Sequence, residues 1–162
     1  MAFVDCGDGL DVGDLSIDGF PMFTPAWRCE NLWELWEPPE QRGTNVIRPG
    51  VDGSYAVKRR VAETSRDLLM FISGGCDYLG VPAANPMIGM KANLRRFEDN
   101  LIAPTGTGQG TRTLLLTEPD GSVRTAEVQV AGMQVSEMRR NAKYCYAAIT
   151  IIIPAGGLVD VP

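Results

Sequence analysis

A single helix-like segment lies within a sequence that otherwise has the pattern of β-strands, and this limits the possible folds more than any other feature. Residues 85–101 read NPMIGMKANLRRFEDNL. Asn85 is a suitable N-cap residue, and Pro86 suits the first helical position, where its missing N–H group is not needed. Apolar residues then recur at spacings of three and four, which places them on one stripe of a helix: Met87, Met90, Leu94, Phe97 and Leu101. One helix with one apolar stripe can cover one sheet.

The remaining segments alternate in polarity or are short apolar runs, as expected of strands. A hairpin is predicted around Pro119-Asp120-Gly121. The predicted strands are Trp27–Trp36, Tyr55–Ala62, Leu68–Ser73, Thr111–Thr117, Ser122–Val130, Met133–Met138 and Lys143–Ile153. The expected fold is mainly β with one helix (α+β), an antiparallel β-sandwich or half-barrel flanked by a single α-helix. We expect one domain over residues 1–162, with residues 1–25 as an N-terminal arm and residues 37–53 as a long loop.

The composition argues against several classes of function. The chain has no histidine, which excludes Ser-His-Asp and Cys-His nucleophilic sites and His-based acid–base catalysis. Its net charge of −5 argues against a protein whose main role is to bind nucleic acid. No apolar run approaches the ~18 residues that would span a bilayer. We therefore expect a protein that is not an enzyme, that has no cofactor and that does not enter a membrane.

The cysteines and the N-terminal carboxylates are weak candidates for metal sites. The cysteines are far apart in sequence and are expected to be reduced, partly buried thiols and not zinc ligands: Cys6, Cys29, Cys76 and Cys145. Four aspartates recur every three residues among glycines: Asp5, Asp8, Asp11 and Asp14. They favour a solvated arm, and calcium binding stays open as the alternative because the spacing of an EF-hand is missing. We expect no metal site.

The tryptophans and two basic clusters are the better candidates for contacts with a partner. On the predicted strand, Trp27 and Trp33 share one face, which favours burial in the core or between subunits. Trp36 lies on the other face and is expected to contact a partner chain or a ligand. A basic strand favours either a solvated edge or an acidic neighbour in an oligomer: Lys58, Arg59 and Arg60.

The order of these segments is similar to that of a known family. The runs are RPGVDGSYAVKRR from Arg48, DLLMFISGGCDYLG, the helical KANLRRFEDNL, TRTLLLTEPDGSVRTAEVQV, and AAITIIIPAGG up to Gly157. Together they resemble the short distal tail proteins, or minor tail proteins, of long-tailed phages that infect actinobacteria. The resemblance rests on the pattern of strands, glycines and helix, and not on a catalytic motif.

The resemblance implies a belt domain with a tail-tube-like fold, in which two packed β-sheets are flanked by one helix. Six copies would form a ring at the distal end of the tail tube, joined to the tail tip or baseplate, with a lumen open for DNA in transit. The chain would be synthesised in the host bacterial cytoplasm and would act in the virion. The exposed basic residues of the helix then become candidates for subunit contacts: Lys91, Arg95 and Arg96. The second, galectin-like domain of many distal tail proteins is not expected here.

Two alternatives stay open at this point. The same fold would suit a tail tube or tail terminator subunit. A different class of function is a monomeric β-sandwich that binds carbohydrate or peptide through Trp36 and nearby loops.

Overall fold

The structure, a computed structural model, describes residues 15–38, 63–102, 110–136, 143–154 and 157–162, and only the backbone of four two-residue strands between residues 41 and 61. In chain order the strands are β1 Leu15–Ile17, β2 Phe20–Pro21, β3 Trp27–Cys29, β4 Gln41–Arg42, β5 Val46–Ile47, β6 Ser54–Tyr55, β7 Arg60–Val61, β8 Thr64–Ser73, β9 Arg112–Thr117, β10 Val123–Val135, β11 Tyr144–Ile153 and β12 Val159–Asp160. A 3-10 helix covers Leu32–Trp36, the α-helix α1 covers Pro86–Phe97, and a π-helical turn covers Glu98–Ile102.

The main sheet has eight antiparallel strands and curls around the core. Its order is β2-β1-β9-β10-β11-β8-β3, and β12 also pairs with β10. The two remaining pairs are β4 with β7 and β5 with β6. The predicted fold class is confirmed, because the protein is mainly β, with a β-sandwich-like sheet and a single α-helix.

Strand β10 belongs to both halves of the curled sheet. Residues 123–128 pair with β9, and residues 129–135 pair with β11. The register shifts between Val130 and Gly132, so a β-bulge lies between the two halves. The prediction of separate strands at Ser122–Val130 and Met133–Met138 is therefore wrong, since one strand runs through both as far as Val135. Residues 137–138 lie outside the described residues.

Helix α1 covers the inner face of the sheet, as its apolar stripe predicts. The Asn85 side chain accepts hydrogen bonds from the N–H groups of Met87 and Ile88, at 3.0 and 3.4 Å, and so acts as the N-cap. Four of the five stripe residues are buried, while Met87 is partly exposed: Met90, Leu94, Phe97 and Leu101. Phe97 packs edge-on against Trp27, with ring centroids 4.9 Å apart.

Two glycines let the helix approach the end of β8. A Cβ atom on Gly74 would lie 1.7 Å from the Pro86 carbonyl oxygen, and one on Gly89 would lie 2.4 Å from the Gly74 carbonyl oxygen. Next to this contact, the buried Asn93 side chain donates hydrogen bonds to the carbonyl oxygens of Ser73 and Cys76, at 2.8 and 2.9 Å. The beginning of α1 is thus fixed against the C-terminal end of β8.

Several boundaries differ from the predictions. The expected strand Trp27–Trp36 is wrong beyond Cys29, because the chain turns into the 3-10 helix. The expected N-terminal arm includes short strands, β1 and β2, as the sequence allowed, and β1 pairs with β9 with its apolar residues buried. The loop predicted over residues 37–53 is wrong at β4 and β5. The ends of the predicted strand Tyr55–Ala62 lie in β6 and β7, and residues 56–59 and 62 lie outside the described residues.

Candidate interaction surfaces

The 3-10 helix presents two tryptophans to solvent on one side. A 3-10 helix has three residues per turn, so side chains three positions apart lie above one another. Leu32 and Leu35 therefore point together into the core, and Trp33 and Trp36 point together outward, with 58% and 43% of their surfaces exposed. Burial of Trp33 in the core beside Trp27 is therefore wrong, burial of Trp33 between subunits stays a prediction, and Trp36 is exposed as expected. Trp33 and Trp36 are called the tryptophan ridge below.

Asn31 fixes the tryptophan ridge to the edge of the sheet. Its side-chain amide donates to the Asp67 carbonyl oxygen and its side-chain oxygen accepts from the Leu69 N–H group, each at 2.7 Å. Strand pairing between β3 and β8 is thereby continued by a side chain, and the 3-10 helix starts at the point where the pairing ends. These hydrogen bonds fix the start of the 3-10 helix, and with it the tryptophan ridge, to strand β8.

Among the described residues around the ridge, three carboxylates accompany two guanidinium groups. Glu34 lies between the two tryptophans in sequence, and Glu37 follows them and forms a 3.6 Å ion pair with Arg66 of β8. Glu30, just before the 3-10 helix, forms a 2.6 Å ion pair with Arg28. An exposed aromatic pair with an acidic border fits an interface, where tryptophan is enriched and charges lie at the rim.

The outer side of α1 is basic and partly apolar. Ile88, Lys91 and Arg95 are all exposed, and their spacings of three and four place them on one stripe. The Arg96 guanidinium lies 3.9 Å from the centre of the Tyr78 ring, and this cation–π contact ties the helix to the preceding loop. The three basic residues predicted as subunit contacts, Lys91, Arg95 and Arg96, are thus together on one exposed surface.

Next to these residues the structure shows an open depression and further exposed apolar side chains. The depression has a volume of about 310 Å³ and is lined by Ala92, Arg95, Arg96, Asp99 and Asn100. In the loop before the helix, Leu79 and Val81 are 69% and 58% exposed, and Ile88 is 68% exposed. This surface, from the loop through the stripe to the depression, is called the basic helix face below. Glu98 and Asp99 end its run of positive charge.

A third exposed apolar cluster lies on the outer face of the sheet. Phe71 of β8 contacts Tyr144 and Tyr146 of β11, with ring centroids 5.4 and 5.5 Å apart. The Arg28 guanidinium lies 5.1 Å from the centre of the Phe71 ring. The two tyrosines are 48% and 39% exposed. No local sequence pattern marks this cluster, because its residues meet only through the pairing of β8 with β11.

The ion pair between Arg112 and Asp18 is structural, with a buried guanidinium group and a carboxylate that is 42% exposed. Arg112, 7% exposed, lies 2.7 Å from the Asp18 carboxylate and also donates to the carbonyl oxygens of Asn100 and Leu101. It thus pairs carbonyl groups that the end of the helical segment leaves without helical partners. The hydrogen bond from Arg112, together with that from the Thr113 N–H group, lowers the pKa of Asp18 below its usual value. All three guanidinium nitrogens of Arg112 donate hydrogen bonds within the fold, so these residues do not form a binding site.

The two free thiols of the described residues show no sign of activation. Burial raises the pKa of Cys29 to about 11 and also raises the pKa of Cys145, so both are protonated near neutral pH. Cys76 is disulfide-bonded, so the prediction of a reduced thiol is wrong at that position. Among the described residues, no group of three or more acidic or cysteine side chains could hold a metal ion.

Some predicted candidates cannot be placed. Lys58, Arg59 and the acidic N-terminal arm lie outside the described residues, and of Arg60 only the backbone, in β7, is described. The sequence signal for the tryptophan ridge is ambiguous. The run Leu32-Trp33-Glu34-Leu35-Trp36 repeats apolar–tryptophan pairs at a spacing of three, which fits a 3-10 helix, but it also fits the alternation of a strand.

Within the described residues, no helix is long and apolar enough to cross a membrane. The sequence matches no protein-family model. It also shows no significant match to a curated protein.

Proposed function

We propose that this chain is a structural subunit of a phage tail, a distal tail protein that forms a hexameric ring at the end of the tail tube. The ring joins the tube to the tail tip or baseplate and leaves a lumen open for DNA in transit. The chain acts in the virion, binds no cofactor and carries out no catalysis. The proposal starts from the resemblance in sequence, and the fold class is compatible with it.

The observation that carries the proposal is the combination of a complete core with separate exposed apolar surfaces. Leu15, Trp27 and Phe97 are among the side chains buried to 1% exposure or less, so the domain has buried its own core. Yet the tryptophan ridge, the basic helix face and the outer aromatic cluster leave large apolar side chains in solvent. Apolar clusters that remain exposed on a folded domain mark contacts with other chains. A subunit with neighbours on several sides needs such surfaces.

The negative net charge supports a ring through which DNA passes without being bound. Each subunit carries a net charge of −5, so six copies form a ring with a negative total charge. DNA is held mainly by Lys and Arg side chains that neutralise phosphates, and a negatively charged ring opposes such binding. The outer sheet residues Glu127 and Asp67 are among the exposed carboxylates that contribute to this charge.

Light scattering and negative-stain imaging of the purified chain test the proposal. A hexamer of 17.6 kDa subunits has a mass near ~106 kDa and is expected to appear as a ring with a central hole. A monomer over the whole concentration range, with no ring in images, would contradict it. Localisation within intact virions then separates a distal ring from the tail tube or the tail terminator.

The exposed tryptophan ridge favours one second candidate, a monomeric module that binds carbohydrate or peptide. Exposed indole rings bordered by carboxylates, such as Trp33 and Trp36 beside Glu34, can stack on sugar rings while the oxygens accept hydrogen bonds from hydroxyl groups. Binding of the monomer to a glycan array, abolished by Trp36→Ala, would favour this candidate over the ring.

A further inference from the structure

The tryptophan ridge and the basic helix face are chemically complementary surfaces. We propose that the ridge of one copy docks on the basic helix face of the next copy, so that subunits associate head to tail. This inference rests on the proposed function, since it names the surfaces through which the ring would form. Both exposed surfaces would then be covered by neighbouring copies of this chain.

The two surfaces lie at opposite ends of β8. The ion pair between Glu37 and Arg66 places the end of the 3-10 helix near the beginning of that strand. The hydrogen bonds from the Asn93 side chain to the carbonyl oxygens of Ser73 and Cys76 place the part of α1 beside the depression just beyond its other end. Arg66 and Ser73 are seven residues apart, which is about 23 Å along a strand. The surfaces are therefore distinct, and neither is part of the other.

Distinct partner surfaces dictate the symmetry of the assembly. A two-fold dimer uses the same patch on both subunits, whereas contacts between two different patches run head to tail and close into rings or extend into filaments. Each subunit has one tryptophan ridge and one basic helix face, so it can contact one neighbour through each surface. This arrangement matches a cyclic ring.

The side chains of the two surfaces suit each other. The depression beside Arg95 and Arg96 has a volume of about 310 Å³, at the lower end of the range for small-molecule pockets and sufficient for an indole ring. Trp33, at 58% exposure, projects the most and is the side chain that would enter it. A guanidinium group beside an indole ring makes the strongest kind of cation–π contact. Glu34 would then face the basic residues, and Ile88 would cover the rest of the ridge.

Two complementary variants test the docking directly. The ridge variant is Trp33→Ser/Trp36→Ser, and the helix-face variant is Ile88→Glu/Arg95→Glu; all four residues are exposed, so both variants are expected to fold. Each variant alone is expected to remain monomeric. Mixed together they are expected to form a 1:1 complex of twice the monomer mass and nothing larger, because only one intact pair of surfaces remains. Light scattering and analytical ultracentrifugation measure this.

A matched control uses an exposed apolar pair outside all three surfaces, Val159→Ser/Val161→Ser, at 62% and 44% exposure, which should associate with wild-type affinity to within threefold. A charge exchange adds a second measurement, with Glu34→Arg and Arg95→Glu on separate chains. The ridge of Glu34→Arg should bind the helix face of Arg95→Glu at least tenfold more tightly than the wild-type ridge binds that same face. Circular dichroism and thermal melting confirm that each variant is folded.

Each outcome separates this inference from the proposed function. If wild type forms a ring and the ridge variant also forms it, the docking mode is overturned while the ring remains. If wild type forms a ring and the two variants fail to form a complex, the docking mode is overturned as well. If wild type and every mixture remain monomeric, both proposals fail. Glycan binding by a monomer that the ridge variant loses would assign the ridge to carbohydrate instead.

Discussion

The Arg112 guanidinium lies 2.7 Å from the Asp18 carboxylate, although the two residues are 94 positions apart in the chain. Asp18 lies in the turn between β1 and β2 with a φ of 49°, a left-handed conformation that few residues adopt easily. Its carboxylate also accepts a hydrogen bond from the Thr113 N–H group at 2.9 Å. One ion pair therefore fixes the N-terminal strand to β9 and, through the Leu101 carbonyl group, to the end of the helical segment.

Replacement of Arg112 should destabilise the protein strongly. Arg112→Met keeps most of the side-chain length but leaves two buried carbonyl groups and the Asp18 carboxylate without their donor. Because the Asp18 side chain is 42% exposed, its ion pair is screened by solvent, and most of the cost, about 1–3 kcal/mol in unfolding free energy, comes from the carbonyl groups left without a donor. Urea denaturation measures the difference. Asp18→Asn, which tolerates the left-handed turn and keeps an acceptor, should cost less than half as much, and equal losses would contradict this account.

The same ion pair makes stability depend on pH in the acid range. The folded-state pKa of Asp18 is lowered from 3.8, so its stabilisation is fully present above the unfolded-state pKa. The stabilisation is lost as the pH falls through the lower folded-state pKa, where the carboxylate gains a proton. The difference in unfolding free energy between wild type and Asp18→Asn should therefore be constant from pH 5 to pH 7 and shrink below about pH 4. A constant difference down to pH 2 would show that the charge is irrelevant.

Phe97→Asp should prevent folding. Phe97 is fully buried and packs edge-on against both Trp27 and Phe20, so a carboxylate there has no solvent and no cation. The cost is several kcal/mol out of a total stability of about 5–15 kcal/mol. Ile88→Asp, on the exposed side of the same helix, should melt like wild type to within a few degrees. A soluble Phe97→Asp variant with a cooperative melt would falsify the helix assignment.

Gly89→Ala should destabilise the protein even though alanine favours helices. The new Cβ would lie 2.4 Å from the Gly74 carbonyl oxygen and 2.9 Å from the Ala83 Cβ, so the helix must move away from β8. We expect a loss of about 1–3 kcal/mol, larger than the gain of up to ~1 kcal/mol from helix propensity. Gly110→Ala is the control, because a Cβ there meets nothing within 4 Å. Equal thermal stability of Gly89→Ala and wild type would refute the close approach.

Features encoded by local spacing were predictable, and features formed by distant residues were not. The N-cap Asn85 and the stripe through Phe97 are set within one segment; the α-helix is confirmed from Pro86 to Phe97, its last turn is π-helical, and all stripe residues except Met87 are buried. The stretch after Cys29 was misinterpreted because apolar residues there fit a period of two about as well as a period of three. The structure distinguishes the 3-10 helix from a strand, because Leu32 and Leu35, three positions apart, are both buried.

The candidate site was predictable to a similar extent. The exposure of Trp36 and of the basic residues on α1 follows from their positions opposite an apolar face. The partners that complete each surface could not be predicted from the sequence. Tyr78 contacts Arg96, and Arg66 contacts Glu37, only through tertiary packing. Physical contact between elements that are distant in sequence depends on the register of the sheet, which no local pattern reports.

The continuity of β10 across its bulge has a mechanical consequence. Because one strand belongs to both halves of the curled sheet, neither half can detach without removing a hydrogen-bonded neighbour from the other. A pulling force applied to β9 is passed to β11 through covalent bonds along β10, and not only through packed side chains. The domain should therefore resist load as one unit and rupture in a single step.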